Sequence, residues 1–153
     1  MSRNLEEARR WLSQAQYDLR AARVNEQNGI YAWTCFLCQQ SAEKALKAFL
    51  YAQGEGPVIG HSSYRLAQEC AAFDPEFATV ERACKKLDGY YIPTRYPNGL
   101  PGGVPHEVYD AVDAAEALEA ATVVLSLITP KLPSADIAQE TDAPGDDTMS
   151  PIS

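Results

Sequence analysis

Arg95 is the residue whose surroundings most suggest chemistry. It stands in Tyr90-Tyr91-Ile92-Pro93-Thr94-Arg95-Tyr96-Pro97, a lone cation among aromatic and apolar neighbours and between two prolines. A proline fixes its own φ, biases the residue before it toward extended backbone and donates no backbone hydrogen bond. Pro93 and Pro97 therefore predict a stiff, non-helical strut that presents Arg95. A guanidinium is always charged and forks toward phosphate or carboxylate, and Tyr90, Tyr91 and Tyr96 are available to stack on a base or to pack against the fold. A structural loop with an exposed arginine is the plainer reading of the same residues.

Four further side chains belong with Arg95 as candidates. Lys44 and Lys47 share a helix face with Gln40 and would lie beside Arg95 in a ligand cleft, although solvated lysines would give the same pattern. Glu43 and Lys47 are spaced for an (i, i+4) ion pair. His61 precedes a helix, where it would serve as a cap or a hydrogen-bond partner, and His106 is the histidine downstream of Arg95 that could act with it as an acid–base partner. Other chemistries find no framework. Cys35 and Cys38 spell C-x-x-C, but a structural zinc site needs two more ligands and thioredoxin-like redox work needs a strand ahead of the helix. With Cys70 and Cys84 they lie in apolar stretches, as reduced core residues do. No Glu-x-x-His for a di-iron bundle occurs, and Gly54 to Gly60 lacks the Lys-Ser/Thr of a phosphate-cradling loop. No metal and no cofactor are expected.

The elements that must position these residues read as helices. Leu5, Ala8, Leu12, Ala15, Leu19 and Ala22 recur at steps of three and four, with Asn4 as an N-cap and Asn28-Gly29 as a stop. A second helix from about Tyr31 to Gln53 is apolar over much of its circumference and should be the most buried. A short helix follows from Ser62 or Ser63 through Cys70; another, opened by Asp74-Pro75, runs from Glu76 to about Leu87. After the proline strut and a glycine-proline loop, the last helix begins near His106. Its expected core stripe is Ala111, Ala115, Leu118, Thr122, Leu125 and Thr129, widened by Val108, Val112, Val124 and Ile128, and Pro130 ends it. No strand pattern appears. The fold class is therefore all-α, an up-and-down bundle of four to five helices over residues 4–130, followed by a disordered acidic tail over 131–153.

The formal charge of −8 is unevenly distributed. Residues 1–95 hold twelve Lys/Arg against eleven Asp/Glu, whereas residues 134–153 hold five acids and no base. Extended tracking along duplex DNA is disfavoured; a small nucleotide or one defined stretch of RNA fits better. No run reaches the roughly 18 apolar residues that span a bilayer, and the chain opens on a charged amphipathic pattern. A cytoplasmic protein without membrane contact is expected.

Taken together, Trp11-Leu12, Ala15, Asp18-Leu19, then Cys38-Gln39-Gln40-Ser41-Ala42-Glu43-Lys44-Ala45-Leu46-Lys47-Ala48, then Gly60-His61-Ser62, then Tyr91 to Pro97, resemble the HEPN domain (higher eukaryotes and prokaryotes nucleotide-binding). The resemblance implies a bundle of four or five helices that dimerises around a basic cleft. It also implies, for many bacterial members, a nucleotidyltransferase partner in a toxin–antitoxin pair. In several branches it implies metal-independent ribonuclease activity from an arginine and a histidine separated by four to six intervening residues. Here Leu100, Pro101 and Gly102 fall near that spacing and His106 lies eleven residues past Arg95, so only a loop that folds back would join the two. The leading expectation is a HEPN homodimer that binds a nucleotide, or a nucleotidyltransferase, through Arg95, Lys44, Lys47, Tyr96 and His61. The alternatives are a ribonuclease toxin using Arg95 and His106, and a non-enzymatic interaction module whose Trp11, Tyr17 or Trp33 forms a dimer seam.

Overall fold

The computed structural model describes residues 3–133, so the expected acidic tail lies outside the described residues from Ser134 onward. Helix α1 (Arg3–Gln27) buries Ala8, Ala15, Leu19 and Ala22, the stripe that the periodicity predicts. Asn4 is itself helical and does not cap α1. Gly29, with φ +75°, ends the connection in the left-handed conformation that glycine adopts without a side-chain clash.

Helix α2 (Tyr31–Ala52) is the central element and packs most extensively on α1. Alanines every seven residues on α1 leave room for the two backbones to approach closely. As a result, short polar side chains of α2 reach main-chain atoms of α1: Thr34 Oγ1 donates to the Ala22 carbonyl at 3.2 Å and Ser41 Oγ to the Ala15 carbonyl at 2.6 Å. Further along, Tyr51 stacks on Trp11 at 5.7 Å. Partners on α1 descend as α2 ascends, so the pair is antiparallel.

Helix α3 (Ser63–Ala71) is capped by Ser62, whose Oγ accepts from the Arg65 amide. The helix predicted from Glu76 to Leu87 is divided: a 3₁₀ segment, Pro75–Val80, precedes α4 (Glu81–Asp88). A 3₁₀ turn brings residues three apart onto one side, which lets Phe77 and Val80 both enter the core, Phe77 against Phe49 at 4.5 Å. The last helix is divided too. A single turn, α5 (Pro105–Val108), breaks at Tyr109, and α6 (Ala111–Ile128) starts afresh from a capping box in which Asp110 and Asp113 exchange hydrogen bonds with each other's backbone.

The face that α6 buries also differs from the expected stripe by one residue. Ala114, Ala117 and Ala121 are buried, whereas Ala111 and Ala115 are exposed and Val112 is 63% exposed; toward the end of the helix the expected Val124, Leu125 and Ile128 are buried. Apolar residues surround this helix, so periodicity alone does not select the side that meets α2; the crowded core takes the alanines. A terminal 3₁₀ turn, Thr129–Lys131, closes the bundle through Lys131 Nζ, which binds Asp74 at 2.8 Å and Glu76 at 2.7 Å. Among the described residues there is no strand, and no helix is long and apolar enough to cross a membrane.

The hydrogen bond from Lys131, then that from the Glu76 amide, hold the Asp74 carboxyl below its ordinary value of 3.8. Its contribution to stability is complete above pH 3.8 and lost as pH falls through the lowered value. Asp74→Asn should therefore flatten the fall of the urea midpoint below pH 3.8 relative to the wild type; parallel curves would contradict the assignment.

Candidate anion-binding site

Arg95 is delivered by a run of turns that starts where α4 ends. The Arg95 amide donates to the Ile92 carbonyl at 3.0 Å, which places Pro93 second in a four-residue turn, a position its fixed φ favours. The segment is thus non-helical, as its prolines suggest, and takes the form of a coiled succession of turns. Thr94, buried, ties its hydroxyl to the Tyr90 carbonyl, and Tyr90 itself is buried edge-on to Tyr109 at 6.0 Å.

This scaffold fixes the guanidinium tightly. Arg95 Nε donates to the Tyr91 carbonyl at 2.7 Å, and its central carbon lies 4.5 Å from the Tyr91 ring centroid, 4.6 Å from Phe36 and 5.2 Å from Tyr96. Cation–π contacts with three rings hold the charge at about 0.5–2 kcal/mol each without neutralising it. No carboxylate among the described residues pairs with Arg95. Its terminal amino groups are therefore the free end of a preset fork. Phe36, the lower ring of this stack, carries no signal in the sequence because it looks like any other apolar residue of α2.

Beside Arg95 opens a cavity of about 510 Å³ lined by Ile30, Trp33, Arg95, Pro97, Val104 and His106 among others. The glycine-proline loop does fold back. A 3₁₀ turn at Pro97–Gly99 and the left-handed Gly103, φ +73°, return the chain so that His106, exposed at the start of α5, lines the same cavity as Arg95. Trp33 is 48% exposed at this rim, and Tyr96 51%.

Across the Tyr91 ring lies a buried polar hub centred on Glu43. The Glu43 carboxylate, in a residue 3% exposed, receives Lys47 Nζ at 3.1 Å, His61 Nδ1 at 3.3 Å, Gln40 Nε2 at 3.4 Å and Gln39 Nε2 at 3.5 Å. His61 is itself exposed and stacks on Tyr91 at 5.3 Å, so its imidazole and the Arg95 guanidinium both pack on the same ring. With Nδ1 donating to Glu43, Nε2 is left as an acceptor toward solvent. Asp88, the last residue of α4, fixes this arrangement. It accepts from Ser62 Oγ, Ser63 N and Oγ, and Tyr64 N at 2.7 to 3.0 Å, locking the start of α3 to the end of α4.

The two lysines do not join Arg95 in one cleft. Lys47 is 5% exposed and committed to Glu43, with its ammonium 5.3 Å from the Trp11 ring centroid. Lys44 turns toward α1 and binds Asp18 at 2.6 Å. Trp11, packed on Tyr51 and bonded to Glu7, is part of the α1–α2 seam, whereas Tyr17 and Trp33 remain exposed. The cysteines are unpaired and buried, and burial pushes the thiols of Cys35 and Cys84 up to about 12, which leaves them protonated. No group of His, Cys, Asp and Glu among the described residues is placed to hold a metal ion.

Residues 8–131 match the HEPN domain family. The chain belongs to that family. Its fold agrees with the crystal structure of TT1696 from Thermus thermophilus, with a TM-score of 0.74 and 42% identity over 82% of this chain and 98% of that one. It also agrees with the crystal structure of ST0689, an archaeal HEPN homologue, with a TM-score of 0.69 and 35% identity over 83% of this chain and 98% of that one. Human sacsin is similar over 123 residues at 29% identity, which is 78% of this HEPN chain but only 3% of sacsin's length.

Removing one member of a buried ion pair strands the other, at a cost of about 3–5 kcal/mol. Lys47→Met should lower stability by that order, whereas Lys44→Met should cost less, because the Lys44 side chain is 23% exposed and the buried Asp18 it leaves keeps the Gln14 amide as a donor. Denaturant unfolding of both variants checks this; equal losses would contradict the division between buried and peripheral lysines.

Proposed function

We propose that this HEPN protein is a cytoplasmic homodimer that binds the phosphate of a nucleotide at Arg95. The observation that carries this reading is the uncompensated guanidinium, held over Phe36, Tyr91 and Tyr96 with its terminal donors unused by any described carboxylate. His61, oriented by Glu43 on the same tyrosine, offers its Nε2 acceptor to a hydroxyl or amino donor of the nucleotide, and Tyr96, half exposed, offers a ring face for a base. Exposed Ile30, Trp33, Tyr96 and Val108 surround or adjoin the cavity and provide the apolar surface that a second copy would cover. A nucleotidyltransferase docking on the same face, as in a toxin–antitoxin pair, is the protein-partner form of this proposal.

A charge-assisted hydrogen bond contributes about 1.5–3 kcal/mol, so Arg95→Ala should weaken nucleoside triphosphate binding by about 10- to 100-fold in calorimetry. Equal affinity in the two proteins would remove Arg95 from the site. Light scattering should give twice the monomer mass at micromolar concentration.

One observation favours a second reading, metal-independent RNA cleavage: His106 and Arg95 both line the same cavity. In that case His106 would move the ribose 2′-hydroxyl proton while Arg95 stabilises the phosphate. RNA cleavage by the wild type that disappears in His106→Ala supports it; cleavage unchanged in that variant eliminates His106 from the chemistry.

A further inference from the structure

A second group of cations gathers on the outer face of α1, away from Arg95. Here an open groove of about 690 Å³ is lined by Glu7, Arg9, Arg10, Trp11, Ser13, Gln14 and Lys44. The acids around it are already engaged. Glu7 accepts from Arg10 and from the Trp11 indole at 3.0 Å each, and Asp18 accepts from Gln14 at 2.9 Å and from Lys44 at 2.6 Å. Two carboxylates facing three cations leave one positive charge over.

That surplus resides on Arg9. Its Nε is buried and, among the described residues, is the one buried side-chain nitrogen or oxygen with no hydrogen-bond partner. Folded proteins pair nearly all such atoms, and an orphan costs about 1–3 kcal/mol. Nε itself is closed to solvent, and because no described carboxylate pairs with Arg9, the terminal amino groups of this part-buried, groove-lining side chain are the donors left for an acceptor.

We propose that this groove is a second anion site, separate from the one at Arg95, and that it takes a phosphate group. Two guanidinium forks, an ammonium, a hydroxyl and a side-chain amide offer donors to a compact tetrahedral oxyanion. Trp11 is already engaged by Tyr51 at 5.7 Å and by the Lys47 ammonium at 5.3 Å, so the groove offers a nucleobase little aromatic surface. Recognition therefore rests on the phosphate and not on a base. The Lys47–Glu43 pair links the two regions: Lys47 touches Trp11 on this side, and Glu43 holds His61 on the other.

The test is a nitrogen-15 NMR titration at constant ionic strength with inorganic phosphate, then adenosine monophosphate, with chloride as control. Saturable shifts of the Arg9 Nε–H and of the Ser13 and Gln14 amides are expected in the wild type and equally in Arg95→Ala. Arg9→Gln should weaken the phosphate response by about tenfold or more. Arg9→Lys, which keeps the charge but loses the fork, provides a gentler variant should Arg9→Gln not fold. Response to both ligands assigns a phosphate monoester, and response to inorganic phosphate alone assigns the free ion; each supports the site. Absence of any shift, linear shifts reproduced by chloride, shifts undiminished in Arg9→Gln and Arg9→Lys, or loss of the groove response in Arg95→Ala would overturn the proposal.

Discussion

The buried carboxylate of Glu43 is the interaction on which the site depends. A charge taken out of water in the middle of α2 is tolerable only with partners, and Lys47, four residues on, supplies the compensating charge. The remaining acceptor capacity draws in Gln39, Gln40 and His61, and Gln39 in turn reaches the His61 carbonyl at 2.9 Å. One acidic residue thus fastens the loop before α3 to the central helix. Asp88 does the same from the end of α4, and the turns carrying Tyr91 and Arg95 leave directly from that anchor. Arg95 is held in place by two carboxylates that it does not touch.

The charge balance of the protein gains meaning from this arrangement. Several cations of the bundle are already committed to fixed partners: Lys47 to Glu43, Lys44 to Asp18, Lys131 to Asp74 and Glu76. Arg95 and Arg9 stand apart, the first pinned on aromatic rings and the second with a buried, unpaired nitrogen. In a chain of net charge −8, selectivity for an anion comes from such individual preset donors and not from a broad positive field.

Much of the fold is legible because the alanine and leucine spacing of α1, the apolar circumference of α2 and the Ser62 and Asp74 caps are local signals. The Asp110–Asp113 capping box is equally local but blends into a run of acids that resembles a solvated face, which hides the restart of the helix at Ala111. The buried side of α6 cannot be read because valine and alanine surround it; the neighbouring helix decides. At the site, Arg95 and its tyrosines are evident from their types, and the match of Arg95 with His106 depends on a loop whose return no spacing rule encodes. Lys44 and Lys47 share a face in sequence, yet Asp18 and Glu43 draw them apart, since ion pairing depends on where acids of other turns and helices fall. Phe36 and Asp88 carry no chemical signal of their own.

The central claim is that Arg95 is a preset, unpaired phosphate fork. A crystal structure of the protein grown with a nucleoside triphosphate tests it most directly. Phosphate oxygens are expected within hydrogen-bond reach of the Arg95 terminal amino groups while Nε stays on the Tyr91 carbonyl. A guanidinium swung off its rings onto a carboxylate, with the nucleotide bound elsewhere, would contradict it.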